Sequence, residues 1–173
     1  MNVIETDRLI LRNVSTDDAE FILDLLNQPS FIQFIGDRGV RTLDNARDYI
    51  LKRLIDSYER FGFGLYLTLL KDNKVPIGIC GLVKRETLKD VDVGFAFLPQ
   101  YWLKGYAFES ASAVLAYGRN NLGLQRIVGI ATPDNHGSIR VLEKIGLKFE
   151  KMVKLSEDDI ELKLFGSAST NKD

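Results

Sequence analysis

The segment Phe97-Leu-Pro-Gln-Tyr-Trp-Leu-Lys-Gly-Tyr-Ala-Phe-Glu109 places Pro, Lys and Gly just ahead of apolar residues at helical spacing. A strand that ends here hands the chain to a helix N-terminus. There, four backbone N–H groups lack partners and the helix dipole is positive, so the junction suits a phosphate. Gly105 would allow close approach and Lys104 would add a charge, although many strand–helix loops hold a glycine for turn geometry alone. The fragment is neither a P-loop nor a dinucleotide fingerprint, because GxxxxGK[ST] and GxGxxG are both absent from the chain.

A second group opens another helical pattern. Asn135 is placed to cap it, and Ser138 in its first turn reads either as a backbone cap or as a proton donor. Asp92, at a polar position of an alternating strand, reads from its position as a solvent-facing carboxylate. Glu109 suits a helix start structurally. Glu143 and Lys144 read as solvated helix charge. The chain's one cysteine, Cys80, lies in a β-branched-rich strand and is expected to pack as a small apolar residue. A covalent route through it would need an adjacent base, and the one histidine, His136, reads as an exposed loop or first-turn residue. Tyr101 and Trp102 would either stack on a ligand ring or anchor the loop.

Composition narrows the classes. With 173 residues, 45% hydrophobic and 27% charged, the chain is expected to be one globular domain over 1–166, followed by a flexible polar tail, 167–173. Lys plus Arg number 23 against 24 Asp plus Glu, which gives no electrostatic reason to expect a nucleic-acid partner. One Cys and one His leave too few ligands for a thiolate or histidine metal site, so no metal is expected. The opening MNVIETDRLILR lacks the uncharged run of a signal peptide, and no stretch approaches the roughly 20 apolar residues of a membrane span. A cytoplasmic location is the expectation.

The elements that must position these residues follow from periodicity. Ile4 to Arg12 reads as one strand, Ser15 as an N-cap, and Phe21, Ile22, Leu25 and Leu26 as an apolar helical stripe. Thr42 caps a second helix through Ala46, Ile50 and Leu54 to Gly62. Phe63 to Val83 reads as a hairpin, and Val91, Val93, Phe95 and Phe97 alternate as a third strand. A helix then runs from Gly105 to Gly118 or Gly123, a strand from Arg126 to Ala131, and a helix from Asn135 to Gly146. Leu147 to Lys154 and Ile160 to Phe165 close the chain as strands. The fold class is α/β, a mixed, mostly antiparallel sheet of six to seven strands flanked by helices.

Three stretches, in order, resemble the GNAT N-acetyltransferases, specifically the RimJ/RimL-like branch that acetylates ribosomal-protein N-termini. Glu5-Thr-Asp-Arg-Leu-Ile-Leu-Arg12 is similar to the branch's opening strand. Val91 to Phe97 with Gly105-Tyr-Ala-Phe-Glu109 is similar to its acetyl-CoA motif. Asn135-His-Gly-Ser-Ile-Arg-Val-Leu-Glu-Lys-Ile-Gly146 is similar to its NxxSxxxxEKxG helix. One position departs: the family's loop is QxxGxG/A, and Leu103 stands where its first Gly usually does. Because backbone amides do the binding, a leucine there is tolerable only if the position has negative φ and its side chain points away from the phosphates.

The resemblance implies a direct transfer of acetyl from acetyl-CoA to an amine. It also implies that the strands Val91 to Phe97 and Arg126 to Ala131 are parallel and splay into an acyl-CoA cleft. The cofactor would pair with the backbone of Phe95 and Phe97 and rest its diphosphate on Leu103, Lys104, Gly105, Tyr106 and Ala107. Asn135 would bond the pantetheine, Ser138 would protonate the thiolate, and Asp92 would be the candidate base. The acceptor would be a protein or peptide N-terminus. A small amine such as a polyamine or aminoglycoside, or a non-catalytic acyl-CoA-binding module, stand as alternatives, and the protein would be a monomer or homodimer.

Overall fold

A computed structural model of the chain describes residues 2–167. Of the expected tail, Ser167 is described, its carbonyl accepting from Arg126 (3.1 Å), and residues 168–173 lie outside the described residues.

The expected first strand is two. β1 (Asn2–Glu5) and β2 (Leu9–Arg12) form an antiparallel hairpin. Thr6 turns the chain: its N–H donates to the Leu9 carbonyl and its hydroxyl accepts from the Leu9 N–H (3.1 Å). The apolar and polar alternation runs on through the turn, so periodicity alone does not break it. The sheet therefore has eight strands.

Ser15 caps a short 3-10 turn (Thr16–Asp18) in a reciprocal capping box with Asp18 and leads into α1 (Ala19–Leu26), which buries Ala19, Ile22, Leu25 and Leu26. An unexpected α2 (Pro29–Phe34) follows, with Pro29 in its first turn, where the missing N–H costs nothing. The second expected helix is a continuous rod: α3 (Leu43–Tyr49), capped by the Thr42 side chain, a π-helical stretch (Ile50–Ile55), and α4 (Asp56–Phe61) ending at left-handed Gly62.

β3 (Leu65–Leu70), β4 (Pro76–Val83) and β5 (Val91–Phe97) form the antiparallel centre. After α5 (Tyr106–Asn120) come β6 (Ile127–Ala131), α6 (His136–Lys144), β7 (Lys148–Val153) and β8 (Leu162–Gly166). α5 runs through Gly118 without stopping. A Cβ there would lie 2.8 Å from the Ile127 side chain, so the glycine serves close packing on β6 rather than termination. Among the described residues the strand order is β1-β2-β3-β4-β5-β6-β8-β7, and only β5 and β6 are parallel.

The sheet separates two apolar layers. On one face Val91, Val93, Phe97, Ile127 and Ala131 pack with Ala111, Val114 and Leu115 of α5 and Leu142 of α6. On the other, Ile10, Leu67, Leu69 and Ile79 pack with α1 and the Ala46, Ile50 and Leu54 stripe. Each fully buried aliphatic contributes roughly 1.5–3 kcal/mol, which fixes β5 and β6 against their helices.

Candidate active site

β5 and β6 pair only at Val91–Ile127 and Asp92–Val128, and beyond these two rungs they separate. The expected V-shaped opening is present. Which backbone groups face it follows from register. Leu98 N–H donates to the Ile77 carbonyl (2.9 Å) and Phe97 lies opposite Gly78, so the even-numbered residues of β5 bond to β4. Val93, Phe95 and Phe97 then turn their N–H and C=O groups toward the opening. The Phe97 carbonyl is already taken, because the Trp102 indole N–H donates to it (2.9 Å). Phe95 thus offers a donor and an acceptor, and Phe97 offers its N–H alone. Trp102 is a loop anchor, though 46% exposed.

From β5 the chain passes through a 3-10 turn (Pro99–Tyr101) to α5. Gly105 takes φ +84° as N-cap and no side chain caps the helix. The first helical bond runs from Glu109 N–H to the Gly105 carbonyl (3.0 Å), so the amides of Tyr106 and Ala107 are not spent within the helix. An uncapped start on a 15-residue helix is a fit cradle for a diphosphate.

Leu103 departs from the expected backbone geometry. Its φ is +62°, not negative, and its side chain is fully exposed. The loop keeps the left-handed turn that a glycine would adopt freely, and the leucine adopts it at a cost of about 1–2 kcal/mol while pointing its side chain into solvent. The second half of the expectation, a side chain kept off the loop's amides, fits that exposure.

Arg8, which no local pattern singled out, holds this loop. Its Nη1 donates to the Lys104 carbonyl (3.0 Å), its guanidinium lies over the Tyr106 ring (4.4 Å), and a Cβ on Gly105 would stand 3.2 Å from its Nη2. Glu109 receives Arg8 Nε (2.7 Å), Arg8 N–H (3.0 Å) and the Thr6 hydroxyl. Burial would raise the Glu109 pKa, but the Thr6 and Arg8 bonds outweigh it and the carboxyl ends below its usual value. Its role is structural, as the sequence suggested.

At α6, Asn135 Oδ1 accepts the Ser138 N–H (3.2 Å). Asparagine, not serine, is the cap, and the half-buried Ser138 hydroxyl is not spent on it. Asn135 keeps its side-chain N–H₂ for another partner. His136 is exposed, as expected. Cys80 is wholly buried and its thiol is pushed up to about 12 by burial, so it is no nucleophile.

Asp92 is not solvent-facing. It is 1% exposed and accepts from Arg85 Nε (3.0 Å). Arg85 comes from the β4–β5 connection, where Lys84 Nζ bonds the carbonyls of Arg85, Leu88 and Lys89 and folds the segment back. Burial raises the Asp92 pKa and Arg85 only partly offsets it.

A diverging parallel strand pair, an uncapped helix start beside it and an Asn-capped helix across it define an acyl-transfer fold. A family model, the acetyltransferase (GNAT) domain, matches residues 8–148, and the chain belongs to this family of acetyl-CoA-dependent acetyltransferases. The chain is 31% identical over 151 residues to the uncharacterized N-acetyltransferase YnaD of Bacillus subtilis (strain 168), covering 87% of this chain and 85% of that one. A GNAT-family acetyltransferase structure from Bacillus anthracis matches with TM-score 0.77 and 25% identity, over 94% and 96% of the two chains. RimL, the ribosomal L7/L12 α-N-protein acetyltransferase in complex with coenzyme A, shares the fold (TM-score 0.82, 17% identity, 96% and 97% coverage). No helix among the described residues is long and apolar enough to cross a membrane.

Proposed function

We propose that the protein transfers acetyl from acetyl-CoA to a primary amine, with a protein or peptide N-terminus as acceptor, in one ternary complex. The single observation that carries the reading is the uncapped start of α5, whose leading loop is tied by Trp102 to the Phe97 carbonyl on the cleft-facing edge of β5. The fold shared with RimL supports the acceptor class.

Acetyl-CoA supplies a thioester carbonyl and a thiolate leaving group, so the protein's task is positioning and proton management. Leu103, Lys104, Gly105, Tyr106 and Ala107 hold the diphosphate through backbone amides, with Arg8 fixing the loop from behind. Phe95, Phe97 and the Asn135 amide hold the pantetheine arm. The amine nitrogen bonds to the carbonyl carbon as the C–S bond breaks. Asp92, through water, takes the amine's proton. Ser138 hands its hydroxyl proton to the departing sulfur and recovers one from solvent. Burial of Asp92 acts in the direction a base needs, toward greater proton affinity.

A screen of peptides and small amines for acetyl-CoA consumption, with mass detection of the product, tests this. Acetylated peptide N-termini are the expected product. Acetylation confined to small amines would contradict the acceptor class.

A further inference from the structure

Resting on that reading, the side from which the acceptor arrives follows from strand alternation. Val91, Val93 and Phe97 share the apolar layer with α5, so Asp92, Gly94 and Ala96 lie on the opposite face. A Cβ on Gly129 would meet Leu142 of α6, so Val128 and Ile130 also lie on that opposite face. The diphosphate cradle belongs to the start of α5. An amine that meets the thioester through the diverging strands therefore comes from the Asp92 and Val128 side.

A cavity of about 350 Å³ opens there, between the β4–β5 connection and β7, with Val128 and Leu164 in its floor. Val128 is the register partner of Asp92, so this cavity adjoins the point where the strands part. Its charges are unequal. Arg126 is engaged by two carboxylates, with Nε to Asp90 (3.0 Å) and Nη1 to Glu150 (2.9 Å), which leaves that triad one negative charge in surplus. Lys89, Lys151 and Lys154 also line the cavity, are exposed, and make no ion pair among the described residues. Three lysines exceed one surplus carboxylate, so the cavity is net positive.

We infer that this cavity receives a carboxylate carried by the acceptor beside its amine, so that the enzyme selects anionic acceptors. The carboxylate can come from an acidic side chain after a peptide N-terminus or from a small amino-dicarboxylate. In a partly enclosed site such charges steer encounter and discriminate against cationic acceptors.

The test compares acetylation of three matched peptides whose second and third residues are Asp-Asp, Ser-Ser or Lys-Lys, with free aspartate and glutamate as separate arms. Binding of the fluorescent Asp-Asp peptide is followed in parallel by anisotropy, with and without acetyl-CoA. The expected kcat/KM order is Asp-Asp over Ser-Ser over Lys-Lys, with about tenfold between the extremes and a narrowing as salt rises. In the double variant Lys151→Glu/Lys154→Glu the order inverts, a gain that a misfolded protein cannot show. Turnover of the free amino acids in place of the peptides assigns the carboxylate to the small-molecule source. Acetylation without charge preference, or a preference the double variant leaves intact, overturns the inference. Anisotropy that reports lysine-dependent binding while no amine is acetylated upholds the cavity and contradicts the transfer reading instead.

Discussion

Arg8 and Glu109, a hundred residues apart in sequence, are joined by a 2.7 Å ion pair that ties the β1–β2 turn to the first turn of α5. The same guanidinium reaches the Lys104 carbonyl and the Tyr106 ring, so the loop proposed to hold the diphosphate is braced by the N-terminal hairpin. The cradle is a property of two distant segments.

Arg8→Ala is therefore expected to weaken acetyl-CoA about tenfold through loop disorder, while costing stability only about 1 kcal/mol because the pair is partly screened by solvent. Isothermal titration alongside urea unfolding reads both. An unchanged affinity would remove the brace from the binding account.

Glu109 gives the pH counterpart. Its folded pKa lies below the usual 4.5, so its contribution to stability is present above that pH and is lost as pH falls through the folded value. Glu109→Gln should be less stable than wild type at pH 7 by about 1–2 kcal/mol, with the gap closing below about pH 4.5. Urea midpoints at pH 7 and along a series of pH values falling from 4.5 check it; a gap that does not narrow anywhere along the series contradicts the assignment.

How much of this was legible in the sequence depends on the range of the interaction. Caps at Ser15, Thr42 and Asn135 and the ends at Gly62 and Gly146 are local, and the residue types suffice to place them. The Arg8 brace was not legible, because nothing near Arg8 or Glu109 marks the other. Asp92 departs from a solvent-facing position for a similar reason. Its polar place in an alternating strand signals solvent, whereas the carboxylate is buried and meets Arg85 from a loop folded back by Lys84, which periodicity does not report. At Leu103 the sequence shows an odd residue, but its backbone φ is set by the turn around it.

Leu103 carries its own test. At φ +62° a glycine relieves about 1–2 kcal/mol of strain and returns about 0.5–1 kcal/mol to the entropy of the unfolded chain. Leu103→Gly should stabilise the protein by up to about 1 kcal/mol in urea unfolding and leave acetyl-CoA affinity equal or slightly tighter. Marked destabilisation would mean that the leucine side chain is needed where it stands.

Ser138→Ala is expected to lower kcat by about 10- to 100-fold with acetyl-CoA affinity nearly intact. Helix capping cannot account for such a loss, since Asn135 is the cap. Single-turnover rates with a folding control decide it, and unchanged turnover would take Ser138 out of the proton path.

Whether backbone amides at the start of α5 hold the cofactor is measured by calorimetric titration of acetyl-CoA into wild type, Lys104→Ala and Gly105→Val. Gly105 stands at φ +84° with Arg8 against the position a Cβ would take, so valine must deform the loop. Wild type should bind in the micromolar range, roughly −7 to −9 kcal/mol, with Lys104→Ala weakened only slightly and Gly105→Val by tenfold or more. No heat from wild type at millimolar acetyl-CoA, or a larger loss in Lys104→Ala than in Gly105→Val, would contradict the account.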